Sequence, residues 1–218
     1  MLRRAFIAPL AALALLSACR AAPTTVVGVK PDRIDARAPD LYVVRFETTK
    51  GNIDMMVHRD WAPLGADRLY GLVRHKYYDG ARFFRAVPGF VVQFGLAADP
   101  AVTSTMNERR IPDDSVRMEN VRGTVSFATA GPNTRTTQLF INLGDNRRLD
   151  ASGFSVVGRI IDGMRVVDSL HFGYGEGAPR GQGPEQGRIQ REGEAYLAAD
   201  FPALDKILRA TILRTYSK

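Results

Sequence analysis

The chain has 218 residues, 45% of them hydrophobic and 24% charged, which is the composition of a folded protein with one real core and room for a small appendage. Its formal charge is +7, but the arginines are scattered rather than gathered in a run with interleaved aromatics, which speaks against nucleic acid as a partner. One cysteine, Cys19, excludes an internal disulfide, and His58, His75 and His171 lack metal-ligand spacing, so no metal or cofactor is expected.

Arg3 and Arg4 form a basic start, followed by the apolar run Ala5 to Leu16, too short to span a bilayer. Leu16-Ser17-Ala18-Cys19 then looks like a bacterial lipobox. Residues 1–18 are therefore expected to be a signal peptide, with Cys19 lipidated and two or more acyl chains holding the protein at a membrane. That makes the expected location the cell envelope, as a periplasm-facing lipoprotein. Residues 19–40, with Pro23, Gly28, Pro31 and Pro39 and no sustained apolar period, read as a flexible tether.

The folded domain is expected over residues 41–218. Leu41 to Thr48 and Asn52 to Val57 are strand candidates joined by the turn Thr49-Lys50-Gly51. Asp60 is placed to cap a helix from Trp61 to Lys76, where Leu64, Leu69, Leu72 and Val73 fall at helical spacing. Phe83 to Gln93 reads as two short strands about Pro88-Gly89, a pair suited to the centre of a tight turn. Arg85 and Gln93 are its polar members. By itself this stretch fits a core hairpin whose arginine snorkels just as well as a site.

From Leu96 to Arg122 the pattern breaks down into a long irregular loop, in which Asp113-Asp114 reads as a solvated tip. Gly123 to Ala130, Thr137 to Leu143 and Phe154 to Ile161 are strand-like, and Met164 to Leu170 is a short helix. Residues 173–187 hold six glycines and two prolines, a surface loop without phosphate-binding spacing. Glu192 to Asp200 reads as a helix and Ile207 to Leu213 as a final strand. The sum is seven or eight strands with two or three helices, a β-barrel with helical covers. Ser126 and Ser155 have no Gly-x-Ser-x-Gly context, which leaves hydrolase chemistry unsupported.

Two long stretches, Phe83 to Gln93 and Gly123 to Asn142, together resemble the cyclophilin family of peptidyl-prolyl cis-trans isomerases. Ala62-Pro63, Tyr77-Tyr78-Asp79-Gly80 and Val157-Gly158-Arg159-Ile160 extend the similarity across residues 41–170 and the last strand. The resemblance implies a mainly β fold, a closed eight-stranded antiparallel barrel capped by two α-helices. The segment 173–202, before the last strand, is then an insertion that the barrel does not explain, a candidate lid or docking element.

Carried over residue by residue, the resemblance makes Arg85 the catalytic residue. Phe90, Val91, Gln93, Ala128, Thr129, Gln138, Phe140, Arg148, Leu149 and Phe154 become the substrate-binding residues of the proline pocket and the groove for the substrate backbone. Val91 replaces the more usual Met and Thr129 a common Asn. Arg148 stands where cyclosporin-sensitive members have Trp, which speaks against tight cyclosporin binding but leaves the catalytic arginine untouched. The implied partners are proline-containing polypeptides, met by a monomer that needs no cofactor. A binding module that keeps the pocket but turns over slowly, a membrane-tethered chaperone or scaffold, is the competing reading.

The chemistry asks for little more than these residue types. The barrier to rotation about an Xaa-Pro bond, roughly 20 kcal/mol, arises from amide resonance, so the transition state is a twisted bond with a more basic nitrogen. A fixed guanidinium that donates to that nitrogen binds the twisted form more strongly than either planar one. Because arginine stays charged across the working range, activity should be nearly flat from about pH 6 to 9.

Overall fold

A computed structural model describes residue 26 and residues 28–216 of the chain. The expected signal peptide, Cys19 and the start of the expected tether lie outside the described residues. In chain order the elements are α1 (Pro31–Ile34), β1 (Leu41–Thr48), β2 (Gly51–His58), α2 (Pro63–Arg74), β3 (Arg85–Val87) and β4 (Val91–Phe94). There follow α3 (Pro100–Asn107), β5 (Thr124–Phe127), β6 (Leu139–Asn142), a 3-10 turn (Arg147–Ser152), β7 (Val156–Asp162), α4 (Met164–Asp168), α5 (Gln186–Asp200) and β8 (Ile207–Tyr216).

The eight strands form one antiparallel sheet in the order β3-β4-β6-β5-β7-β2-β1-β8. Alternation decides which face each side chain takes. Val92, Phe94, Leu139 and Ile141 point into the main core, whereas their neighbours Val91, Gln93 and Phe140 lie on the outer face. Helix α2 covers the core from β2, β7 and β8, and α4 packs on β2. The sheet curls until its ends meet, as Phe83 N–H donates to Asp205 O at 3.0 Å and Ile207 N–H to Ala81 O at 2.8 Å.

The eight-stranded antiparallel fold expected from the sequence is present as a curled half-barrel, closed less completely than expected. The edge strand β3 is only three residues long, and its outer side is met by the insertion, where Ala86 N–H donates to Gly175 O at 3.4 Å. No continuous ladder closes the circle there.

Further expectations change. The tether reading does not hold from Val26 onward, because Val26, Ile34 and Ala38 are buried in the main core. There Asp35 pairs with Arg68, itself 1% exposed, and Gly71 lets the backbone of Ile34 approach so closely that a Cβ would collide with it. The irregular loop after Leu96 contains α3, announced by Asp99, whose carboxylate accepts the Ala101 N–H at 2.8 Å, and by Pro100 in the first turn.

Asp60 does not cap α2. The free N–H groups of Leu64 and Gly65 donate instead to the carboxylate of Asp114, at 3.0 and 2.9 Å. Far from a solvated tip, Asp114 is 8% exposed and pairs with the buried Arg135 at 3.0 Å. A carboxylate at a helix N-terminus satisfies donors that would otherwise be orphaned.

The insertion is docked rather than loose. Ile189, Tyr196, Leu197 and Leu204 form a second apolar cluster with Phe84 and Leu96 of the sheet side. Arg82 holds Glu194 through two bonds of 2.8 and 2.6 Å. Helix α5 begins at Gln186, earlier than expected, and breaks at Gly193 (φ 57°, ψ −137°), where Glu194 N–H reaches Ala98 O at 2.9 Å. A Cβ at Gly193 would collide with that carbonyl, so the close approach of α5 to the start of α3 requires glycine.

Candidate functional site

The site begins with a turn. Val87 to Phe90 is closed by a Phe90 N–H to Val87 O bond of 3.0 Å, with Gly89 at φ +68° after Pro88. Proline presets the first central position and glycine takes the left-handed second, which is the chemistry of a type II turn. This turn sets the register that puts Arg85 opposite Gln93, and β4–β6 pairing puts Gln93 opposite Phe140. Arginine, amide and aromatic ring therefore stand in a row on the outer face.

Their side chains connect. Arg85 Nη1 donates to Gln93 Oε1 at 3.1 Å, and Gln93 Nε2 donates to Gln138 Oε1 at 2.8 Å. Two residues from Phe140 along the same strand face, Gln138 also fixes Ala128, whose N–H donates to its carbonyl at 2.9 Å. Beyond Ala128, Thr129 shares a 2.8 Å hydroxyl contact with Thr134, which shapes the rim into a compact turn.

These residues line a groove of about 650 Å³, which includes an apolar hollow. Phe140 forms its floor at 4% exposure, with Phe154 edge-on to it at 5.6 Å between ring centroids. Leu149 reaches in from the 3-10 turn, and Phe90 and Val91 complete the wall. Of the residues named from the sequence, Arg85, Phe90, Val91, Gln93, Ala128, Thr129, Gln138, Phe140, Leu149 and Phe154 all line this one groove. Arg148 does not. Its guanidinium lies 4.7 Å from the ring centroid of Phe90, covering that ring from outside while Arg85 lies 5.5 Å from the same centroid.

Three groups of residues went unrecognised in the sequence. Behind the groove, Asn120, Asn142 and Asn146 are fully or nearly buried and bonded in series. Asn146 Nδ2 donates to Phe90 O at 2.9 Å and Asn120 Nδ2 to Phe154 O at 2.8 Å, so one amide chain holds two walls of the pocket. Asn107, Glu108 and Arg110, at and after the end of α3, extend one side of the groove. The insertion supplies the other, through Glu176, Arg180, Gln186 and Gln190. Single polar residues in loops and at the ends of short elements carry no periodic signal by which a strand or helix pattern would find them.

Glu176 faces the arginine directly. Arg85 Nε and Nη2 donate to its two carboxylate oxygens at 2.6 and 2.7 Å. Those bonds hold the Glu176 carboxyl below the usual carboxylate range, against the opposing effect of its partial burial. Among the described residues no group of three or more His, Cys, Asp or Glu could hold a metal ion. What the site offers is an oriented guanidinium and two amides beside an apolar hollow, a set that can grip a ring and bond to amide atoms.

Comparison with known proteins agrees with this geometry. Residues 43–190 match the family described as cyclophilin type peptidyl-prolyl cis-trans isomerase/CLD. A peptidyl-prolyl cis-trans isomerase of Acinetobacter baylyi is 33% identical over 147 residues, covering 63% of this chain and 76% of that protein. Peptidyl-prolyl cis-trans isomerase A of Dickeya dadantii is 32% identical over 132 residues, covering 58% of this chain and 70% of that one. The crystal structure of a Cryptosporidium parvum cyclophilin type peptidyl-prolyl cis-trans isomerase superposes with a TM-score of 0.59 at 22% identity, covering 81% of this chain and 99% of that one. The same protein in the presence of the dipeptide Ala-Pro gives a TM-score of 0.58 at 22% identity, covering 79% and 99%. The chain belongs to the cyclophilin-type peptidyl-prolyl cis-trans isomerases, and its activity is the interconversion of cis and trans peptidyl-prolyl bonds.

Proposed function

We propose that this isomerase acts on Xaa-Pro bonds of exported proteins, from a lipid anchor on Cys19 in the cell envelope, with Arg85 as its catalytic residue. The basic and apolar leader ending in Leu16-Ser17-Ala18-Cys19 supports export and anchoring. The observation that carries the catalytic assignment is the Arg85 guanidinium, bonded to Gln93 at the rim of the groove floored by Phe140.

In this reading the proline ring enters the hollow between Phe90, Phe140, Leu149 and Phe154, where its burial gives most of the binding. Gln138 and the rim at Ala128 and Thr129 hold the chain on one side of the bond. As the bond twists, resonance is lost and the nitrogen gathers a lone pair, to which Arg85 donates. That contact strengthens only in the twisted state, so it lowers the barrier rather than merely tightening the complex. No nucleophile and no proton transfer is needed.

The test is isomerisation of a short Xaa-Pro peptide by the chain and by Arg85→Ala. Uncatalysed exchange takes tens of seconds, slow enough for a clean comparison. Turnover should fall by roughly a hundredfold to a thousandfold in the variant, while peptide affinity weakens only modestly. Turnover that survives the substitution refutes the assignment. For the anchor, Cys19→Ser should abolish labelling by a radioactive or clickable fatty acid and release the chain from the membrane fraction.

A further inference from the structure

The insertion carries, near its start, a carboxylate placed against the very arginine assigned to catalysis, and nothing in the fold of the sheet requires it. We infer that Glu176 is a positioning residue for the isomerase reaction, which aims the Arg85 guanidinium at the twisted bond. The inference rests on the catalytic assignment of Arg85.

The donor count shows how. A guanidinium has five N–H bonds. Glu176 takes one on Nε and one on Nη2, through contacts of 2.6 and 2.7 Å, and Gln93 takes one on Nη1 at 3.1 Å. Two remain, one on each terminal nitrogen, and the one on Nη2 points away from Glu176 toward the end of the group. The pair is side-on. It locks the rotation of the long side chain without occupying the end that a substrate amide would meet.

A carboxylate this close also offsets the positive charge, so two effects oppose each other. The reaction decides between them. The twisted bond develops a lone pair and no full negative charge, so it gains more from N–H bonds aimed along that lone pair than from a net positive field. Fixed direction therefore outweighs lost charge, and the pair assists catalysis rather than blocking it.

The loop is built to deliver this carboxylate. Gly183 N–H donates to Glu176 O at 2.8 Å, and Gly177 N–H donates to the Glu176 carboxylate at 2.9 Å. A side chain at Gly181 would collide with the Glu176 carbonyl, so the turn needs glycine to fold this tightly. On the sheet side, Gly175 O accepts the N–H of Ala86, the residue next to Arg85. Behind it, α5 is held by the apolar cluster around Phe84 and Leu96. Arg85 is 16% exposed and Glu176 30%, so the pair is sheltered enough to hold its geometry and open enough for a peptide to reach it. The insertion then has a role in the reaction that the sheet alone leaves unfilled.

The experiment compares the full chain with Glu176→Ala, Glu176→Asp, Glu176→Gln and Arg85→Ala in peptide isomerisation, with thermal unfolding of each. Glu176→Ala should lower kcat by on the order of tenfold to a hundredfold with KM unchanged, as expected when a reacting group is misaimed. Glu176→Asp keeps the charge but withdraws the carboxylate by one methylene, and should behave like the alanine variant while remaining folded. Glu176→Gln keeps one acceptor and should fall between alanine and the unaltered chain. Glu176→Ala or Glu176→Asp turning over as fast as the unaltered chain, or faster, overturns the inference. So does a loss that appears wholly in KM. Retained turnover in Arg85→Ala would instead refute the catalytic assignment beneath it, which the paired measurement separates.

Discussion

The two walls of the groove are made in different ways. On one side stand β3, β4 and β6, whose residues Arg85, Gln93 and Phe140 are aligned by strand register and one tight turn. On the other stands the insertion, whose Glu176 reaches Arg85 across 91 positions of sequence. The sheet wall is rigid because its backbone bonds and inward side chains belong to the main core. The insertion wall is rigid only because a second, smaller cluster docks it. On the proposed reading the difference separates two tasks, gripping the proline and aiming the guanidinium, and each can be broken by itself.

The largest effect is expected at the floor. Phe140→Ala removes a ring that is 4% exposed and in contact with Phe154, and should cost about 3 to 5 kcal/mol of stability. Peptide binding should weaken together with turnover, because the hollow that grips the ring is gone. Calorimetric unfolding and peptide titration check both. A variant that binds peptide normally would move the proline pocket away from Phe140.

Next comes the docking of the insertion. Ile189→Ala opens the second cluster at a fully buried position and should cost about 2 to 4 kcal/mol. For a chain of this size that lowers Tm by several degrees, roughly 2–4 °C for each kcal/mol. If the insertion wall serves aim and not grip, kcat should fall while KM holds. A fall in KM-governed binding instead would mean that the two walls share the grip.

The smallest effect is expected from pH. Between about pH 6 and 9 the rate should vary little, since the arginine stays charged and the reaction moves no proton. Glu176 fits the same expectation. Its folded-state pKa is lowered by Arg85, so the pair is intact above the unfolded carboxylate value near 4.5 and is lost only as pH falls through the lower folded value. A bell-shaped profile inside the neutral range would contradict both walls at once.

Legibility in the sequence followed the same division. The hairpin Arg85 to Phe94 could be read because its signals are local, a Pro-Gly turn flanked by apolar runs. The remaining groove residues followed from resemblance to a family, not from periodicity. Helix α3 was legible but misread, as Asp99-Pro100 is a start signal followed by Thr, Ser and Asn, which are weak helix formers. Asp114 was not legible. Beside Asp113 in a polar loop it looks solvated, and only the packing of α2 against that loop buries it as a cap. Ile34 deceived in the same way, one apolar residue in a proline-rich stretch that docks because Gly71 leaves room for it.

The sequence by itself determined the strands and the turn at Pro88-Gly89, because alternation and turn chemistry act within a few residues of chain, and it pointed to the groove floor only through resemblance to a family. Tertiary structure alone decided that the sheet curls without a closing ladder, that Val26, Ile34 and Ala38 join the core, and that Glu176 meets Arg85. Each of these depends on a contact between segments far apart in the chain, where the surfaces that meet are created only by folding.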